Sequence, residues 1–365
     1  MGIKTNYNGI AIVELFPHCN YHCSFCYQNS EERPSYFTEN HKLFEKSKIY
    51  YMNLFIKKYK SYNLSDVDFC DFWGGELFYD NTPEYNELLI KTIKTVNPRK
   101  KFGVTTNLSN INPCLHSLLF DKQEFKLEIG ASFDAVGRFH TKEMLDTYLK
   151  NIEIIRKSPN LASGKFMVET VLTPEMLDDK YDFTIFDKLY KDEQIDNCLL
   201  LDFRGYPEHI LKNFGERILK LLAKYPKLDN AENFLAFTNI KPDEERTPCN
   251  GDMDRYCYCY HPNTHYFSYV TKFDLTHNHC SSCKDDDYKI VEESWGCKDC
   301  KYNNICSDIC PGSSINSGII KIPCPYKYVY DNIHVLRRAY IEDLKKNDKE
   351  TLKKLYKNQF GIGND

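Results

Sequence analysis

Apolar and polar residues alternate with two different periods along the first two thirds of the chain. Short apolar and β-branched runs predict buried strands, and longer segments with a 3.6-residue apolar period predict helices between them. The predicted strands cover 10–16, 67–73, 101–106, 126–133, 164–172 and 198–203, and the predicted helices cover 37–59, 84–96 and 142–156. Repeated strand–helix units predict a parallel sheet with ligands at the carboxyl ends of the strands. The pattern leaves an open barrel and a doubly wound sheet as alternatives.

The final third of the chain differs in its cysteine content. Three of the 16 cysteines lie in 19–26, three lie singly, and ten lie between Cys249 and Cys324. A charged segment with two prolines, 241–248, marks the boundary between the two parts. The sequence therefore predicts a barrel domain over 1–240, a cysteine-rich domain over 241–330, and a C-terminal helix and tail over 331–365.

Composition excludes several classes of protein. A net charge of −4 over 365 residues gives no reason to expect a nucleic-acid partner. No uninterrupted apolar stretch approaches the ~18 residues of a membrane-spanning helix, and the N-terminus lacks the pattern of a signal peptide. We therefore expect a cytoplasmic protein without a membrane partner. Its cysteines would be reduced, and at short spacings they are expected to bind metal.

Three cysteines follow the first predicted strand in the spacing C-x3-C-x2-C. They are Cys19, Cys23 and Cys26, with Phe25 directly before the third. Three thiolates on one short loop can hold a four-iron cluster and leave its fourth iron without a protein ligand. A structural zinc site requires four ligands, and ordinary electron-transfer clusters take four cysteines. The motif resembles the signature of the radical S-adenosylmethionine (AdoMet) enzymes. A zinc knuckle completed by a nearby histidine is the alternative.

The resemblance implies a fold, a cofactor and a reaction. The fold is an α/β partial (β/α)6 barrel, and the open iron of the [4Fe–4S] cluster binds the amino and carboxylate groups of AdoMet. The reduced cluster cleaves AdoMet to methionine and a 5′-deoxyadenosyl radical, which removes a hydrogen from the substrate. Phe25 would lie by the cluster with its backbone near the adenine edge; an ordinary core phenylalanine is the alternative.

A second motif, Gly74-Gly75-Glu76, follows the second predicted strand. Two glycines let a backbone approach a ligand closely because they lack a Cβ atom. The motif resembles the Gly-Gly-Glu sequence that holds the AdoMet amino group in the family. A turn with an N-capping acid is the alternative interpretation.

Polar residues also close the third and fourth predicted strands. Asn107 ends the third, and Ser132 and Asp134 end the fourth. In the family these positions border the cofactor ribose and the substrate, and Ser132 resembles the serine that contacts the ribose. Arg138 follows in a loop and would pair with the AdoMet carboxylate through two hydrogen bonds. A surface arginine is the alternative.

The C-terminal cysteines carry a second resemblance. The spacing C-x2-C-x5-C-x3-C over 297–310, followed by Cys324, resembles the core of the SPASM domain, which usually holds two auxiliary [4Fe–4S] clusters in radical AdoMet enzymes. The resemblance implies a distal cluster on Cys297, Cys300, Cys306 and Cys324, and a nearer one on Cys310, Cys249, Cys257 and Cys280. Cys259 and Cys283 compete for the same places, so the nearer ligand set stays open. A pair of zinc sites is the alternative.

The sequence thus predicts a radical AdoMet oxidoreductase with a SPASM domain, supplied with electrons by a flavodoxin or ferredoxin in an anaerobic or microaerobic cell. Relatives with this layout most often act on peptides or protein side chains, so maturation of a ribosomally made peptide is the first hypothesis. Only nine residues precede the first predicted strand, which leaves no peptide-recognition domain there. Dehydrogenation of a small molecule such as an amino sugar is therefore the second hypothesis, and a zinc-bearing binding protein is the third. The sequence assigns no catalytic acid, base or hydrogen donor.

Overall fold

The structure is a computed structural model, and it describes most of the barrel and parts of the cysteine-rich region. The described residues are 9–15, 19–21, 23, 25–26, 41–60, 69–73, 75–96, 101–121, 126–134, 137–200, 203, 205–228, 230–231, 234–235, 256–261, 266–270, 287–302, 306, 314–315 and 317–353. Four predicted site residues lie outside this set: Gly74, Cys249, Cys280 and Cys310. Cys257 lies in a strand that is described by its backbone.

Eight strands in this part of the chain form a single sheet in the order β6-β5-β4-β3-β2-β1-β7-β8. Their bounds are β1 Gly9–Glu14, β2 Phe69–Trp73, β3 Lys101–Thr106, β4 Leu127–Phe133, β5 Phe166–Val171, β6 Ile195–Leu200, β7 Tyr256–His261 and β8 Tyr266–Val270. Strands β1 to β7 pair in parallel with their neighbours, and β8 pairs antiparallel with β7. Six consecutive parallel strands are the pattern that repeated strand–helix units produce.

Helices connect the parallel strands and extend beyond them. The helices are α1 His41–Tyr59, α2 Pro83–Val96, α3 Pro113–Phe120, α4 Lys142–Ile155, α5 Thr184–Tyr190, α6 Glu208–Leu211, α7 Phe214–Lys224, α8 Asp287–Trp295, α9 Pro325–Asp331 and α10 Ile333–Asn347. Among them, none combines the length and apolar character that a bilayer-spanning helix requires. The predicted C-terminal helix is divided at Asn332 into α9 and α10, and both pack on α7.

Burial alternates along the central strands and separates two faces of the sheet. In β4, Leu127, Ile129, Ala131 and Phe133 are buried, and the residues between them are partly exposed. The Phe133 ring lies 5.7 Å from that of Tyr148 in α4, so the buried face meets the helices. The intervening positions, which include Ser132, therefore line the inner face.

The sheet curves, because residues that follow β1 meet residues at the ends of β5 and β6. Cys23 and Phe25, in the loop after β1, pack against Val171 at the end of β5 and Leu200 at the end of β6. In the sheet, four strands separate β1 from β6. Contact between a loop of one and the end of the other requires a partial barrel rather than a flat doubly wound sheet.

The sixth strand begins three residues before its predicted start at Cys198. The chain turns at Asp192, whose carbonyl accepts a hydrogen bond from the Ile195 backbone at 3.0 Å. Polar residues then enter the strand: Asp196 forms an ion pair with Lys165 at 3.0 Å, and the buried Asn197 amide donates to a backbone carbonyl. Because these positions are polar, the apolar pattern of the sequence does not show where the strand begins.

The β7–β8 hairpin belongs to the part of the chain that the sequence assigns to the cysteine-rich domain, yet β7 pairs with β1 of the barrel sheet. Cys257 and Cys259 oppose Ile10 and Ile12 in this register. The region around residue 241 lies outside the described residues. The division at 240, like the other domain bounds, stays a prediction.

Candidate functional site

The three-cysteine loop lies at the carboxyl ends of the parallel strands. Cys23 is buried, while Cys19 and Cys26 are half-buried, and the Cys26 backbone N–H donates to the Cys23 carbonyl at 3.0 Å. Burial raises the pKa of the Cys19 thiol to about 12 and that of Cys23 to about 11. Arg138 opposes this rise at both thiols, so a cation lies close enough to favour thiolates. Metal ligation would displace these protons.

Cys19 is held by two N–H groups. Its Sγ accepts from the Tyr21 backbone at 3.4 Å and from Asn107 Nδ2 at 3.5 Å. Asn107 follows β3, so this contact fixes the cysteine loop against the end of a neighbouring part of the sheet. The sequence placed Asn107 at the cofactor and substrate border, and no signal in it indicated a contact with the cysteine.

Glu76 is a buried carboxylate at the end of β2, preceded by Gly75 with a left-handed φ of 50°. Its Oε1 accepts from the Phe78 backbone at 3.0 Å and from Thr106 Oγ1 at 2.8 Å, and its Oε2 accepts from the Asn107 backbone at 2.5 Å. Burial raises the pKa of Glu76, and these donors and Arg138 act against that rise. The carboxylate lies close enough to Cys19 to raise the pKa of that thiol as well.

Arg138 and Asp134 form a buried ion pair next to the cysteine loop. Arg138 Nε donates to Asp134 Oδ2 at 2.9 Å, and the guanidinium lies 5.6 Å from the centre of the Phe25 ring. Asp134 is fully buried, and its Oδ1 accepts no hydrogen bond from the part of the chain that the structure describes. Burial raises the pKa of Asp134 to about 6 in spite of Arg138. The alternative of a surface arginine is ruled out, since Arg138 is buried.

These contacts bring five predicted positions together at one end of the barrel: Cys19, Cys23, Phe25, Glu76 and Arg138. Ser132 lies on the inner face of β4, two residues before Asp134, opposite Glu169 in β5. Within the described ranges, no three cysteine, histidine or carboxylate side chains are close enough together to hold a single metal ion.

Comparison with known proteins identifies the fold. No protein-family model and no curated protein sequence matches the chain. The solved structure of anSMEcpe with bound AdoMet and Cp18Cys peptide is similar over 90% of this chain and 98% of that one, at 15% identity and a TM-score of 0.51. The chain has the fold of the radical AdoMet enzymes. The predicted α/β partial barrel with a cysteine-rich C-terminal region is confirmed.

Two further solved structures are similar at lower TM-scores. Streptococcus suis SuiB is 12% identical in two structures, one of them bound to the precursor peptide SuiA. Each covers 87% of this chain, with 75% and 76% of the SuiB chain matched and TM-scores of 0.43 and 0.42.

Beyond the radical AdoMet barrel, four C-terminal cysteines line one cavity. They are Cys297, Cys300, Cys306 and Cys324, and the cavity wall includes Val291, Trp295, Tyr302 and Tyr330. The Cys300 backbone donates to the Cys297 carbonyl at 3.0 Å, and the Cys324 thiol caps α9 by accepting from the Lys327 backbone at 3.5 Å. Burial raises the pKa of Cys297 to about 11. The four residues predicted for the distal cluster thus share one site, while their role as ligands stays a prediction.

Proposed function

We propose that this chain is a radical AdoMet oxidoreductase that modifies a peptide or protein side chain. One observation carries the proposal: a buried carboxylate, Glu76, and a buried guanidinium, Arg138, both lie within electrostatic reach of the Cys19 thiol. The amino-acid end of AdoMet presents an ammonium and a carboxylate. A carboxylate and a guanidinium beside three cysteines offer a partner to each charge of that zwitterion.

Glu76 retains capacity for one more donor. An ionised carboxylate offers about four acceptor positions, and hydrogen bonds from Phe78, Thr106 and Asn107 occupy three. The remaining position is on Oε2. An ammonium group of AdoMet would complete the set, and this supports the interpretation of Gly74, Gly75 and Glu76 as the clamp for the amino group.

Arg138 and Asp134 can also form further hydrogen bonds with a bound ligand. Arginine has five N–H donors, and the bond to Asp134 uses the one on Nε. The others suit the AdoMet carboxylate. The Asp134 Oδ1 atom is buried and lacks a donor among the described residues. A ribose hydroxyl would satisfy it, with Ser132 as a second ribose contact on the same strand.

The resident cofactors would be a [4Fe–4S] cluster on Cys19, Cys23 and Cys26 with AdoMet beside it, and two auxiliary clusters on the C-terminal cysteines. When bound, the first cluster and AdoMet supply a 5′-deoxyadenosyl radical that removes a substrate hydrogen. The chain itself orients the cofactor through Glu76 and Arg138. Phe25, Val171 and Leu200 form an apolar wall that excludes water from the site.

A peptide is the proposed substrate class, because the similar anSMEcpe structure contains a bound peptide. The test uses anaerobically reconstituted protein, a flavodoxin or dithionite as reductant, and short peptides encoded beside the gene, with deuterium at candidate side chains. Transfer of deuterium into 5′-deoxyadenosine is the expected result. Transfer from an amino sugar instead of any peptide would change the substrate class. Protein that binds zinc without iron or sulfide would overturn the proposal.

A further inference from the structure

A closed ring of hydrogen bonds fixes the side-chain amide that faces Cys19. Asn107 Nδ2 donates to Asn20 Oδ1 at 3.0 Å, Asn20 Nδ2 donates to Ser109 Oγ at 2.9 Å, and the Ser109 backbone donates to Asn107 Oδ1 at 2.8 Å. A backbone N–H can only donate. The oxygen of the Asn107 amide must therefore face Ser109, which leaves the nitrogen facing Cys19 Sγ at 3.5 Å.

The turn that carries Asn107 is held in a single conformation. Leu108, the next residue, has a left-handed φ of 52°, which is uncommon for a residue other than glycine. Its N–H donates to Thr106 Oγ1 at 3.1 Å, and its carbonyl accepts from Asn151 at 2.8 Å. The surroundings thus over-determine this strained backbone, as they must for it to persist. The amide of Asn107 is pre-positioned against the sulfur rather than recruited to it.

We propose that Asn107 raises the reduction potential of the cluster held by Cys19, Cys23 and Cys26. The inference rests on the proposed function. Reduction adds one negative charge, and part of that charge resides on the ligand sulfurs. An N–H group aimed at Cys19 Sγ stabilises the reduced form more than the oxidised form, and hydrogen bonds to sulfur are one of the determinants of cluster potential.

The same residue links this sulfur to the clamp for the AdoMet amino group. The backbone N–H of Asn107 donates to Glu76 Oε2, while its side chain donates to Cys19. Any substitution at 107 other than proline keeps the backbone N–H that donates to Glu76. The two roles are therefore separable by mutation: the side chain acts on the potential, and the main chain acts on Glu76.

The test is a potentiometric EPR titration of Asn107→Asp and the wild type, each with all its clusters. The relevant signal is the one that changes when AdoMet is added. The Asp side chain keeps the acceptor for Ser109 but replaces the donor with a charge, so the potential should become more negative. At a fixed solution potential we expect about a tenfold smaller reduced-to-oxidised ratio, or about 59 mV for one electron.

The matched control is Asn110→Asp, which makes the same change three residues further on. Asn110 donates to the carbonyls of Phe78 and Tyr79 and to Asn81, and within the described ranges it has no hydrogen bond to a cysteine. Its cluster potential should equal that of the wild type. Asn107→Ala removes the amide without adding charge, so its potential should shift in the same direction by less. This variant decides the matter if Asn107→Asp loads no iron at the first site.

A spectroscopic measurement separates tuning from support of the fold. In deuterated buffer, the wild-type cluster should couple to an exchangeable deuteron that Asn107→Ala lacks, while both retain equal iron. Equal potentials in the wild type and both Asn107 variants, with the cluster present, overturn this inference alone. A wild-type chain without a cluster at Cys19, Cys23 and Cys26 overturns the proposed function as well.

Discussion

The two cysteine sites of this chain differ in the residues that surround their thiols. The N-terminal loop supplies three thiols, and polar groups from the ends of β2, β3 and β4 surround them: a carboxylate at Glu76, an amide at Asn107 and an ion pair at Asp134 and Arg138. The C-terminal site brings four thiols to one cavity whose wall is mainly aromatic and aliphatic, with Glu292 and Lys327 as its charged residues. Ligand sites combine apolar walls with a few precisely placed polar groups that fix the orientation of the ligand. The first site is suited to admit a cofactor, and the second to enclose a cluster.

The position of each site in the fold explains this difference. The first lies at the carboxyl ends of parallel strands, where successive loops bring side chains from distant parts of the chain to one place. The second lies between α8 and α9, whose residues belong to the same apolar core as the barrel helices. The Tyr330 ring in α9 lies 5.0 Å from that of Phe234, and Gly215 in α7 leaves room for Tyr328. The second site is therefore also a structural connection.

Replacement of Cys19, Cys23 and Cys26 together by Ala should have the largest effect. We expect loss of about four of about twelve irons per chain, with the C-terminal clusters retained. Formation of 5′-deoxyadenosine from AdoMet under dithionite should fall to background, because the polar groups proposed to hold AdoMet surround only the first site. Iron and sulfide analysis and chromatography of the nucleoside measure the two outcomes. Residual AdoMet cleavage by this variant would mean that a C-terminal site can also bind and cleave AdoMet.

Replacement of Cys300 and Cys306 together by Ala tests the other side of the comparison. If the distal cluster carries an electron from the substrate, the variant should form 5′-deoxyadenosine without product. If the cluster mainly holds α8 against α9, the yield of soluble protein should fall, because the free energy of metal binding in such sites contributes to folding. Both yields are measured on one soluble preparation. A soluble variant that lacks this cluster and still forms product in full would exclude both roles.

Glu76→Gln sharpens the assignment of the first site. Removal of the charge that faces the AdoMet ammonium costs about 1.5–3 kcal/mol, so AdoMet affinity should fall by roughly ten- to a hundredfold. Iron content should be unchanged. The NH2 group of the new glutamine must face either the Asn107 N–H or the Phe78 N–H, which are both donors. We therefore expect the free energy of unfolding to fall by about 1–3 kcal/mol. Glu84→Gln, the same change at an exposed position on α2, is the matched control. Equal AdoMet affinity in both variants would remove Glu76 from the site.

Sequence reasoning predicts the sheet and the two cysteine groups, because both depend on local patterns. Strand β3 begins and ends as predicted, at Lys101 and Thr106, since its apolar run is short and bounded by polar residues. Helix α3 was missed although Asn112 and Pro113 are a recognisable helix start. Its eight residues are too few to show a clear period.

The polar surroundings of the first site could be predicted only in part. Glu76 and Arg138 follow from the family resemblance, but the pairing of Arg138 with Asp134, four residues earlier, depends on burial in the folded chain. The ring formed by Asn20, Asn107 and Ser109 joins residues almost ninety positions apart. No spacing in the sequence indicates it, because the curvature of the sheet brings these residues together.

The smallest expected effect concerns a cysteine outside both groups. Cys114 lies in α3, fully buried in the barrel core, and it belongs to neither of the two cysteine groups. Burial raises the pKa of its thiol. Cys114→Ala should therefore leave the iron content and AdoMet cleavage at wild-type levels. The free energy of unfolding should fall by about 1 kcal/mol, as for removal of one small buried group. Thermal unfolding and iron analysis of the same sample measure both. Loss of iron in this variant would show that a cysteine in the apolar core can bind a cluster. Cluster binding would then require neither the polar groups of the first site nor the four-thiol cavity of the second.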